Sequence, residues 1–214
     1  MVRQLCCLGY DAFGCDLQFK AGRHVDELVS QGRLRLIRSD PYTLPFDDCF
    51  LDVAVSDQVF EHVMDYDIAL GEIDRVLKEG GASLHVFPAR YMPVEPHVRV
   101  PGATVIRNEW WLLLWARLGV RTDDQGDDGA AAVAEKNRGY LLEHTNYLGR
   151  REIESAFARH FDVVRFAERE YLRRDDPGES RPLRRWLGGI PFMPSVYSSF
   201  RSRVVYAAKV NAGS

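Results

Sequence analysis

The segment that most constrains this chain is a strand–helix–strand unit in its first half. Leu51-Asp52-Val53-Ala54-Val55-Ser56 is near-continuously apolar rather than alternating, the pattern of a strand buried on both faces. Further on, Ala69, Ile73, Val76 and Leu77 fall on one helical stripe, which Asp65 or Asp67 can cap. Gly80-Gly81 then stops the helix, with Gly80 suited to a left-handed position after it. Ala82–Phe87 begins the next strand at once. Two earlier bursts, Asp11–Cys15 and Leu34–Ile37, add to the alternation. Strands interleaved with helices predict an α/β fold with a mostly parallel sheet.

After Pro88 the character changes. Residues 88–102 hold four prolines and cannot form a long regular element. Asn108 to Gly119 reads as a tryptophan-rich helix, and the acidic, glycine- and alanine-rich stretch 123–132 as a mobile loop. A helix over Gly149–Phe161 follows, then strands at Asp162–Ala167 and Arg203–Val210, the last completing the sheet in antiparallel sense. With no repeat and no linker, residues 1–214 read as one domain in which 88–148 is an insertion between sheet elements.

Composition narrows the partners. A net charge of −3 gives no electrostatic reason to expect nucleic-acid binding. Arginines crowd between Arg165 and Arg203, including Arg173-Arg174 and Arg184-Arg185; a solvated face and an anion or membrane-surface contact both account for them. Cys6, Cys7, Cys15 and Cys49 form no CxxC pair, and no His/Cys group has zinc-finger spacing, so neither a metal site nor a disulfide framework is expected. The first residues lack the pattern of a signal peptide. Trp110–Ala116 is too short to span a bilayer, which needs about 20 residues. The expected setting is the cytoplasm, with peripheral membrane contact left open.

Asp16 and Asp40 each follow a strand candidate, and ligands bind beyond the carboxyl ends of strands in open α/β sheets. A carboxylate after the second strand of a nucleotide-binding unit accepts the ribose hydroxyls; one after the third accepts from an adenine amine. It normally lies roughly 20 residues beyond a glycine-rich loop, a distance that Asp16 cannot provide. Taken alone, each aspartate is equally a turn-former.

The string Asp40-Pro41-Tyr42-Thr43-Leu44-Pro45-Phe46 is followed by Glu61-His62 and then by Arg75-Val76-Leu77-Lys78-Glu79-Gly80-Gly81. From about residue 9 to 90 it resembles the small-molecule branch of the class I S-adenosylmethionine-dependent methyltransferases. The resemblance implies a Rossmann-like sheet with S-adenosylmethionine as cosubstrate and a small-molecule or lipid-linked acceptor. Asp16 would hold the ribose, Leu17 would pack near the adenine, and Asp40 with Pro41 would meet the adenine edge. Ser56 and Asp57 would lie where the methionine portion and the acceptor meet. His62 would face the cleft, unless it caps the helix or edges the core. In Arg90-Tyr91-Met92-Pro93-Val94-Glu95-Pro96-His97, at the acceptor mouth, His97 or Glu95 could serve as base. Arg90 and Tyr91 would orient the acceptor, with Tyr147 beside them; the bland alternative is a solvated proline-rich connector.

The family's first strand and glycine-rich loop have no counterpart before Asp16. The sheet is therefore expected to be N-terminally truncated, with S-adenosylmethionine binding weak or lost. An upstream start, a repurposed remnant and a partner chain completing the sheet are the three explanations. The alternative function is a non-catalytic protein of this fold acting by binding or assembly; a nicotinamide-dependent oxidoreductase does not suit Leu44-Pro45-Phe46 followed by Glu61-His62.

Overall fold

The computed structural model describes residues 1–173, 190 and 192–210; Arg174, Arg184 and Arg185 of the arginine-rich stretch lie outside them. In chain order the elements are α1 (Val2–Cys7), β1 (Gly14–Asp16), α2 (Arg23–Ser30), β2 (Leu34–Leu36), β3 (Arg38–Ser39), β4 (Tyr42–Thr43), β5 (Leu51–Asp57) and α3 (Tyr66–Val76). They continue as β6 (Leu77–Pro88), α4 (Glu109–Arg117), α5 (Ala130–Glu143), α6 (Arg150–Phe157), β7 (Val163–Phe166), α7 (Glu168–Arg173), α8 (Met193–Phe200) and β8 (Ser202–Ala208).

Among the described residues the strands form three sheets, one of them the short antiparallel ladder β3-β4. β1 and β2 pair in parallel through the α2 crossover, with Cys15 opposite Arg35. A four-stranded piece has the order β5-β6-β8-β7. There β5 and β6 are parallel, whereas β8 runs antiparallel to both β6 and β7. In the four-stranded piece β5, β6 and β7 thus run the same way and β8 alone opposes them, the expected mostly parallel α/β architecture with a late antiparallel strand. Among the described residues, β1 and β5 each keep one edge without a strand partner.

Register decides which side chains share a face. Ala54 lies opposite Ser83 and Ser56 opposite His85, whereas Val53 faces Ala82 and Val55 faces Leu84. The Ser83–His85 face carries the main core, where Phe60, Tyr66, Leu70, Phe87, Ile153, Phe157 and Val205 pack together. The opposite face does not match the expected strand buried on both sides: Val53 is 59% and Val55 48% exposed. The apolar run was legible, but no described layer covers that side of β5.

Helix α3 begins as expected, with Asp65 accepting from the Ile68 amide at 3.1 Å. It ends earlier than Gly80, however, because Leu77 turns to extended backbone and pairs with Leu51. Gly80 does take φ +73°, and a Cβ on Gly81 would stand 2.7 Å from the Lys78 carbonyl oxygen. Both glycines therefore shape the entry to β6 rather than cap the helix.

Arg75, on the last turn of α3, ties the helix to the Leu44–Phe46 segment. Its guanidinium donates to both Glu72 oxygens at 2.8 and 2.7 Å, to the Leu44 and Phe46 carbonyls, and to Asp48. The stretch 123–132, expected as a loop, carries regular structure at both ends. A short 3-10 turn at Asp123–Gln125 leads into α5, and Gln125 donates to Asn137 at 2.7 Å. Helices α4 and α5 enclose a second cluster with Val98, Val100 and Ala103. The region after β6 thus brings its own core.

Candidate active site

Beyond β6 the prolines hold the chain irregular, and a turn at Glu95–Val100 folds it back on itself. Glu95 N donates to Val100 O, and Arg99, at φ +60°, donates to Glu95 O. The turn buries the Glu95 side chain completely. One carboxylate oxygen accepts from the His97 and Val98 amides at 2.8 and 2.7 Å. The other accepts from the Tyr147 hydroxyl at 2.7 Å and meets His97 Nδ1 at 2.8 Å. Burial pushes the Glu95 carboxyl up, but the hydrogen bonds from His97, Val98 and Tyr147 outweigh it and hold the group below its usual value. Its hydrogen bond to Glu95 raises His97 against a smaller opposing effect of burial. The Tyr147 hydroxyl is pushed up, first by burial and then by Glu95.

His62 lies across from this pair, its ring centroid 4.7 Å from that of His97 in an edge-to-face arrangement. It sits on the 3-10 turn Phe60–His62 that follows β5. Its Nδ1 lies 2.7 Å from the His144 carbonyl, which can only accept, so Nδ1 carries the proton. The same turn is stapled to the residues after α5: Asn146 N donates to Glu61 O at 2.7 Å and Asn146 Nδ2 to Val63 O at 3.0 Å. Beside both histidines is Glu61, 1% exposed, with Oε2 lacking any hydrogen-bond partner. Burial raises its carboxyl to about 7.

The structure therefore gathers His62, Glu95, His97 and Tyr147, residues scattered over 86 positions of the expected site. The alternative of a solvated proline-rich connector does not describe a fully buried Glu95. Other expected residues lie apart. Asp16 is exposed at the end of β1, accepting from the Leu17 amide at 2.7 Å, and Leu17 is 58% exposed. Asp40 and Pro41 form the exposed β3–β4 turn, joined by a cis peptide bond. Asp57 is exposed at the end of β5. Ser56 turns inward, its hydroxyl 2.8 Å from Nδ1 of the buried His85. Arg90 is paired with Glu152 of α6 at 3.0 Å, and Tyr91 is 53% exposed.

Sequence reasoning missed Glu61 as a site residue, although it stands in the Glu61-His62 string, and missed the His144 carbonyl that orients His62. Residue type and spacing carry no trace of that carbonyl. Burial of Glu61 follows from the 3-10 turn, which no helical or strand periodicity announces.

The family described as "Methyltransferase domain" matches residues 1–84. Among solved structures, the chain resembles a phosphoethanolamine N-methyltransferase 2 from Haemonchus contortus, in complex with phosphomonomethylethanolamine and S-adenosylhomocysteine. The identity is 14%, with 98% of this chain and 46% of that chain covered, at a TM-score of 0.50. It is also similar to a geranyl diphosphate C-methyltransferase from Streptomyces coelicolor A3(2), at 15% identity over 98% of this chain and 65% of that one, with a TM-score of 0.48. The chain thus spans less than half the length of the Haemonchus protein. No curated protein matches the sequence. Its first 84 residues match a methyltransferase domain, and the chain shares the α/β fold of the Haemonchus N-methyltransferase.

Proposed function

We propose that the chain serves S-adenosylmethionine-dependent methyl transfer to a small-molecule or lipid-linked acceptor in the cytoplasm, with 88–148 as its acceptor-side region. The observation that carries this is the buried Glu95 gripping His97 beside His62, just beyond the residues 1–84 that match a methyltransferase domain. Asp16 and Asp40, both exposed acceptors beyond the strands, fit a ribose diol and an adenine amine. That fit concerns the nucleoside half of the cosubstrate. When bound, the cosubstrate supplies a methyl group on a sulfonium. His97 removes the acceptor proton through Nε2, Glu95 fixes its ring and proton at Nδ1, and Tyr147 fixes Glu95. Trp110, Leu114 and Leu118, 61%, 42% and 65% exposed, lie on one side of α4 and its end; that apolar stripe supports a lipid-linked acceptor and peripheral membrane contact.

Titration with S-adenosylhomocysteine, followed by calorimetry into the millimolar range, tests the reading. Weak saturable binding is expected, with Asp16→Ala lowering it at least tenfold, and His97→Gln removing transfer while leaving cosubstrate affinity intact. Absence of saturable binding overturns the enzyme reading. A second reading, assembly without catalysis, is favoured by the uncovered Val53 and Val55 and the unpartnered β5 edge, where a partner strand would complete the sheet. Its mark would be concentration-dependent association in sedimentation that Val55→Lys suppresses.

A further inference from the structure

We infer that Glu61, His62 and His97 form a binding site for a divalent transition-metal cation of the zinc class. One candidate ligand atom from each residue lies within 4.8 Å of the other two. Around a metal with bonds of about 2.1 Å, tetrahedral donors stand roughly 3.4 Å apart, so small side-chain rotations close the triad. The donors are two imidazoles and one carboxylate, a set that suits zinc, iron(II) or cobalt(II) rather than magnesium or calcium.

Three independent features point to a cation there. Both imidazoles hold their Nδ1 in a hydrogen bond, His62 to the His144 carbonyl and His97 to the Glu95 carboxylate. Each is thereby locked in the tautomer that presents a free Nε2 lone pair, the arrangement in which metal-bound histidines are held. Glu61 is 1% exposed, and its Oε2 meets no donor; a buried carboxylate oxygen without a partner is costly unless protonated or bound to a cation. The supports are also rigid: the Glu61 carbonyl is fixed by Asn146, and Glu95 by two backbone amides and Tyr147. Three protein ligands leave a coordination position open to water or ligand. Residue spacing does not announce the triad, since His97 lies far along the chain from the adjacent Glu61-His62 pair. If the methyl-transfer reading holds, the cation occupies His97 Nε2 and so inhibits transfer, but the binding site itself does not depend on that reading.

The test is calorimetric titration of chelator-stripped full chain with zinc chloride alone, together with cobalt(II) visible absorption. One cation per chain is expected with a dissociation constant at or below the micromolar range. His62→Gln, an exposed and structurally mild change, and His97→Gln should each weaken binding at least tenfold, while His160→Gln leaves it unchanged. The cobalt form should show a ligand-field band without the thiolate charge-transfer band that Cys6, Cys7, Cys15 or Cys49 would produce. Absence of stoichiometric binding, a thiolate band, or binding insensitive to both variants overturns the site. Zinc binding that survives where S-adenosylhomocysteine does not bind retains this inference and removes only the methyl-transfer reading.

Discussion

Replacing Arg75 with methionine should cut the seam between α3 and the Leu44-Pro45-Phe46 segment. Methionine is as good a helix former as arginine, so the effect is not one of propensity. The guanidinium donates five hydrogen bonds. The one to Asp48 reaches a carboxylate that is 75% exposed and is worth little. The carbonyls of Leu44 and Phe46 belong to buried residues, and losing their donor costs about 1 kcal/mol each. Glu72, with a side chain only 17% exposed, is left as a largely buried charge without its partner, at about 1–2 kcal/mol more. The sum is about 3–4 kcal/mol, which lowers the melting temperature of a chain of this size by roughly 6–16 °C. Urea denaturation at pH 7 measures it. Arg75 holds the Glu72 carboxyl below its usual value, so this part of the stability is present above the ordinary carboxylate range and is lost as pH falls through the lowered value. The deficit should therefore narrow in acid. Arg75→Met combined with Glu72→Gln should recover about 1 kcal/mol, because no charge is then left unpaired. A deficit below about 1 kcal/mol at pH 7, or a double variant no better than the single one, would refute the reasoning.

Two further outcomes follow from buried groups. Burial depresses the His85 imidazole to about 3, so the unfolded chain takes up the proton first as pH falls below its ordinary 6.5, and stability drains away toward acid. At pH 5 this amounts to about 2 kcal/mol relative to pH 7; in urea titrations His85→Phe should therefore gain on the wild type by that amount between the two pH values, and an unchanged gap refutes the neutral-histidine account. Gly81→Ala should cost about 2 kcal/mol by the same measurement, since the Cβ would meet a backbone carbonyl at 2.7 Å that cannot rotate away; a neutral outcome would show that β6 can shift.

How much was legible in the sequence differs element by element. Strands β5 and β6 and helix α3 were visible because apolar period and capping residue agree. Helix α5 was not, because Ala130–Glu143 is alanine-rich with no clear apolar stripe, and the acidic run before it reads as loop chemistry. Composition cannot register that Gln125 is buried against Asn137. Burial of β5 was overread, since an apolar run states what a strand can hide, not whether a layer exists to hide it. In the site, Glu95, His97 and Tyr147 could be picked singly by residue type, yet their joint hydrogen bonding depends on a return of the chain through α4 and α5. Arg90 shows the reverse: a cation at the mouth by position is spent on Glu152.

The division of the sheet has a consequence for timing and local stability. Neither α1 nor α2 buries a single residue, and β1–β2 is joined to the remainder chiefly where Phe13, Cys15 and Ile37 meet Leu44, Phe46 and Val76. Such a unit opens at a small fraction of the global unfolding energy. Amides of Gly14–Asp16 should accordingly exchange with solvent well before those of β6 and β8, which run through the main core. Asp16 rides on that loosely held flap. Any nucleoside it grips must first select the closed population, so its apparent affinity is diluted by the fraction of time the flap stands open.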